Sequence, residues 1–131
     1  MISRDDLVGF FDRLTSEGVQ CREVEDGLWV LTSGEHGPEV VVHHNPPVVV
    51  LRVRVMKLPD DGKRPDLYRH LLELNATDLV HGSYGVDGDD VVLSDALELE
   101  NLDFNEFQAS FDSMTMALAS HLSTLAPFRT A

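Results

Sequence analysis

Between Asp103 and Pro127 the sequence encodes one long amphipathic helix, and that helix dictates a layered fold. Asp103 is a helix-capping residue with Glu106 three positions on, the reciprocal pair of a capping box, and Leu102 and Phe107 flank them as a hydrophobic staple. Phe104, Phe107, Phe111, Met114, Leu118, Leu122 and Leu125 then recur at spacings of three and four until Pro127 stops the run. A helix with so long an apolar stripe must pack across a flat apolar surface, and the preceding sequence supplies a sheet.

The chain opens on a second helix signal. Ser3 can cap, Asp6 follows three residues later, and Ile2 can staple against Leu7. Leu7, Phe10, Phe11 and Leu14 give one apolar face, and Gly18 supplies the left-handed stop, so the helix is predicted to run to about Glu17. From Val19 to Leu58 the texture becomes β-branched. Glu25-Asp26-Gly27, Ser33 to Pro38 and Asn45-Pro46-Pro47 divide it into four strands of an antiparallel meander. In the last of these, Leu51, Val53 and Val55 share one face while Arg52, Arg54 and Met56 share the other. Pro65, suited to a first helical turn, begins a helix predicted over Pro65 to Asn75. Its apolar residues Leu67, Tyr68, Leu71, Leu72 and Leu74 make a surface wide for its length. Two strands, Leu79 to Val86 and Val91 to Leu99, flank the hairpin signal Asp87-Gly88-Asp89. The expected fold class is therefore α+β, an antiparallel sheet with flanking helices in the order α-β-β-β-β-α-β-β-α, in a single domain over residues 1–131.

The second half resembles the YbjN-like family, which is related in fold to the type III secretion chaperones. Leu71-Leu72-Glu73-Leu74-Asn75, His81-Gly82-Ser83-Tyr84-Gly85-Val86-Asp87, Val91-Val92-Leu93, Leu97-Glu98-Leu99 and Leu102-Asp103 carry the resemblance over about residues 65–125. It implies a compact homodimer whose sheet and helices offer apolar grooves to an extended segment of a client protein. It further implies a chaperone-like or regulatory adaptor without enzyme activity. None of these motifs is catalytic, so the resemblance transfers no site residue.

Charge narrows the partners. Ten Lys and Arg against 23 Asp and Glu give a net charge of −13, a field that repels phosphate backbones and anionic lipid head groups. Neither nucleic acid nor a membrane is expected as a partner. Nine of the ten basic residues precede Glu73, leaving Arg129 alone against eleven acids, so the field belongs to the second half and would steer a basic segment. The single Cys21 excludes an internal disulfide, MISRDDLVGFF lacks a secretion signal, and no apolar stretch approaches a membrane span. A bacterial cytoplasm is the expected location.

No constellation amounts to a catalytic, cofactor or metal site. His43 and His44 point to opposite faces of a strand and cannot chelate one ion. His36, His70, His81 and His121 are scattered, and Asp87, Asp89 and Asp90 lack the order and the distal glutamate of a calcium loop. What remains is apolar surface. Leu51, Val53 and Val55 on the long fourth strand, Tyr68, Leu71 and Leu72 on the second helix, and Met116, off the stripe of the last helix, are the candidates for contacts with a client or a second copy. The alternative is a small-molecule sensor or enzyme using a pocket between sheet and helices.

Overall fold

The computed structural model describes residues 1–129. Its first helix, α1 (Arg4–Thr15), starts on a closed capping box: the Asp6 amide donates to Ser3 Oγ at 3.2 Å, and the Ser3 amide donates to Asp6 Oδ2 at 3.0 Å. These exchanged bonds satisfy two amides that a helix start leaves without partners. Strands β1 (Val19–Glu25), β2 (Leu28–Ser33), β3 (Glu39–Asn45) and β4 (Val48–Lys57) follow. Helix α2 (Arg64–Thr77), strands β5 (Ser83–Asp87) and β6 (Asp90–Glu98), and helix α3 (Phe104–Leu125) complete the described order. That order matches the sequence expectation element by element.

The six strands form one antiparallel sheet in the order β1-β2-β3-β4-β6-β5. The β5–β6 hairpin turns on Gly88 at φ 60°, which fits a two-residue turn with glycine at its first central position. Passing through α2 and back along β5 brings β6 against β4, so β4 is central and β5 forms an edge. Leu7, Phe11, Leu67, Leu74, Phe107 and Phe111 from all three helices join one core with Trp29, Leu31, Val42, Leu51 and Leu93 from the strands. The helices therefore layer on one face of the sheet, and α3, about 33 Å long at 1.5 Å per residue, lies over it.

Four local expectations are adjusted in the folded chain. In β4 the register against β6 shifts between Arg54 and Met56, and this bulge turns Met56 into the core, 7% exposed, instead of leaving it beside Arg52 and Arg54. In α3 Asp103 accepts from the Glu106 amide at 2.8 Å, and this is the cap that forms there. His121 takes the buried place expected of Leu122, which is 51% exposed. Finally, β5 begins at Ser83 because Gly82 sits at φ 85°, a left-handed turn out of the preceding segment.

Candidate functional site

The apolar candidates separate into those the chain encloses and those it leaves open. Leu51, Val53 and Leu71 are 0%, 3% and 4% exposed, so in the single chain they serve mainly the core. The sheet order places them there: β4 is central, and Leu71 shares the inward stripe of α2 with Leu67 and Leu74. Val55 is half-buried at the bulge, while Tyr68, Leu72 and Met116 are exposed.

Tyr68 and Leu72 meet Val86 of β5, which is itself exposed, along a shallow groove of about 360 Å³ floored by Leu71, Asn75 and Tyr84. An edge strand normally presents free backbone groups that invite pairing. Here the Asn75 side chain occupies them at one residue: the Tyr84 amide donates to Asn75 Oδ1 at 2.7 Å, and Asn75 Nδ2 donates to the Tyr84 carbonyl at 3.1 Å. Asn75 thus pins α2 alongside β5 and fuses them into one surface. Sequence reading missed Val86, whose alternation looked like that of any strand. Asn75 stood in the family-like motif without an assigned role.

Met116 lies away from this patch. With Val80 and Ala117 it borders a hollow of about 250 Å³ that also contains Asp78 and His121. Beneath it runs a polar chain joining three elements: the Tyr84 hydroxyl is 2.6 Å from His121 Nδ1, and His121 Nε2 is 3.4 Å from Asp78 Oδ2. Burial, with the Asp78 charge adding to it, pushes the Tyr84 phenol up to about 12. An activated nucleophile requires the opposite shift, so this tyrosine stays protonated and serves as a hydrogen-bond donor. Ser110, fully buried in α3, donates in the same way to Asp95 of β6 at 2.7 Å. These buried polar groups fasten α3 to the hairpin. Elsewhere, His43 and His44 face opposite sides of β3 as the strand period requires.

The CesT_Tir_1 family model matches residues 6–131. The chain belongs to this family of type III secretion chaperones. No curated protein matches it by sequence. Its fold is shared with a chain of the heterodimeric ExoU–SpcU complex from the type III secretion system of Pseudomonas aeruginosa. There the TM-score is 0.68 at 20% identity, over 87% of this chain and 95% of that one. It is also shared with YbjN, a putative transcription regulator from E. coli, with TM-score 0.67 and 13% identity over 94% and 93% of the two chains. A chain of the HopA1–SchA chaperone–effector complex gives TM-score 0.60 and 12% identity over 92% and 97%. At these identities the likeness is one of fold. It joins the YbjN-like and secretion-chaperone halves of the sequence resemblance in one architecture. Among the described residues of this CesT_Tir_1 chain, no helix is long and apolar enough to cross a membrane.

Proposed function

We propose that this CesT_Tir_1 member is a non-enzymatic, homodimeric, chaperone-like adaptor, folded as one domain over residues 1–131, that holds a client protein in the cytoplasm. The observation carrying the reading is the apolar surface of Tyr68, Leu72 and Val86, which spans a helix and an edge strand fastened together by Asn75. A rigid apolar patch at a sheet edge fits an isologous contact with a second copy across a two-fold axis. A dimer of ordinary size buries roughly 1,600 Å² in total, within reach of one helix and one strand from each subunit. Family membership supports a protein client, as does the presence of chaperone–effector and heterodimeric complexes among the structures sharing the fold.

Light scattering and sedimentation at micromolar concentration test the dimer, and a monomer there counts against it. Pull-down from the native cell with mass spectrometry, against a charge-matched acidic control protein, tests the client. Enrichment of general chaperones alone removes the support for an adaptor.

A further inference from the structure

The two edges of the sheet are protected in different ways. Edge strand β1 carries Arg22, Glu23 and Glu25, its register shifts between Glu23 and Glu25, and Arg4 of α1 reaches across to Glu23 at 2.7 Å. Charges and a bulge are the usual means of stopping another strand from pairing with an edge. Edge strand β5, Ser83-Tyr84-Gly85-Val86-Asp87, has no charge before its last residue and no bulge: its register against β6 is unbroken, and Val86 is 49% exposed.

Backbone direction alternates along an antiparallel strand. Tyr84 bonds outward to Asn75 through both its amide and its carbonyl, so Val86, two residues on, also faces outward, while Ser83, Gly85 and Asp87 turn towards β6. The outward run ends there, because Gly82 at φ 85° lies before the strand and Gly88 at φ 60° lies in the turn. With Tyr84 taken, only Val86 of β5 keeps an outward amide and carbonyl without a hydrogen-bond partner among the described residues. A side-chain amide carries donor and acceptor on one planar group, as a peptide unit does, so Asn75 stands where a neighbouring strand would pair. It also continues the α2 face of Tyr68 and Leu72, four and then three residues apart.

We propose that Asn75 decides how copies of this chain meet: by closing β5 at Tyr84 it stops the sheet from continuing into another copy and leaves the side chains of Tyr68, Leu72 and Val86 as the contact. This rests on the homodimer reading above and adds the residue that governs its geometry. An open β5 edge pairs with any exposed strand edge, including β1 of a further copy, and such head-to-tail pairing does not close on itself. The side-chain contact closes after two copies. The distinction is written in the backbone, because the Tyr84 amide is then protected by its own chain whether or not a second copy is bound.

Amide hydrogen exchange and sedimentation velocity on the full chain, over one concentration series, test it. In wild type diluted to monomer, the Tyr84 amide is expected to exchange more slowly than the Val86 amide, by about tenfold or more. Equal rates overturn the proposal without any variant. Asn75→Ala is expected to bring the Tyr84 amide to the Val86 rate at that dilution. As its concentration rises, it is expected to form species larger than the dimer in which both amides become protected. An Asn75→Ala chain that keeps the wild-type circular dichroism spectrum and never exceeds a dimer overturns the proposal, as do larger species that leave both amides unprotected. A wild type that stays monomeric at micromolar concentration while Asn75→Ala assembles through these amides removes the homodimer reading and leaves the edge closure standing.

Discussion

The Tyr84 hydroxyl lies 2.6 Å from His121 Nδ1, a buried bond that joins the edge strand β5 to the long helix α3. Burial raises the phenol from its ordinary value of 10 to about 12, and the direction of that rise fixes how stability depends on pH. A group whose folded value is raised contributes stability that is intact below its unfolded value and is lost as pH climbs through the folded one. Tyr84 therefore supports the fold below pH 10, and its contribution falls away between pH 10 and about 12. A rise of this size is worth on the order of 2 kcal/mol at full ionisation. Tyr84→Phe should cost about 1–3 kcal/mol at pH 9 by orphaning a buried ring nitrogen. The difference in denaturant midpoint between wild type and variant should narrow as the pH is raised towards 12. A difference that stays constant would show that the hydroxyl contributes nothing through its ionisation.

Gly82 tests how tightly the hairpin sits on α3. At φ 85° a side chain is already strained, and a Cβ there would lie 3.2 Å from the Ser94 carbonyl oxygen and 3.4 Å from Met114 Cγ. Neither neighbour moves freely, since Ser94 is in β6 and Met114 is fully buried. Gly82→Ala should destabilise by about 1–3 kcal/mol. Gly88→Ala, also at positive φ but with nothing within 4 Å, should cost less. Chemical denaturation of the pair checks the ordering, and equal losses would mean that backbone conformation alone matters at Gly82.

Capping should show in acid. The Ser3 amide and hydroxyl both donate to Asp6, and these bonds hold its carboxyl below the usual range. A depressed folded value contributes stability that is present above the unfolded carboxyl value and is lost as pH falls through the folded one. Asp6→Asn should therefore lower the melting temperature at pH 7 and make less difference in acid, once the carboxyl is protonated. Thermal melts at the two pH values decide it, and an equal loss at both would assign the effect to something other than charge.

The features legible in the sequence are those set by near neighbours along the chain. Ser3 with Asp6 and the stripe from Phe104 to Leu125 gave helix starts and faces from local rules alone. The misread positions depend on contacts distant in sequence. His121 displaces Leu122 from the core because the Tyr84 hydroxyl, 37 residues away, gives its ring nitrogen a partner. Met56 turns inward because β4 bulges against β6, and no pattern within β4 announces that pairing. The candidate surface divides in the same way. Leu72 and Tyr68 were visible as excess apolar width on α2. Val86 joins them because β5 is an edge, which the strand order alone reveals.

The neighbouring leucines of α2 separate folding from assembly. Leu71 is 4% exposed and Leu72 is 67% exposed, one residue and about 100° further around the helix. A carboxylate at position 71 would be buried among Leu67, Leu74 and the sheet. Leu71→Asp should therefore destabilise the monomer itself, by about 3 kcal/mol or more. Leu72→Asp places its charge in water in the isolated chain and should leave the melting temperature of the monomer nearly unchanged. In the proposed dimer it instead sets two like charges near the two-fold axis of an apolar contact, weakening association about tenfold or more. Sedimentation over a concentration series, with circular dichroism on the same samples, distinguishes the two. A Leu72→Asp chain that is folded and still dimeric at the wild-type midpoint would move the dimer contact off this patch.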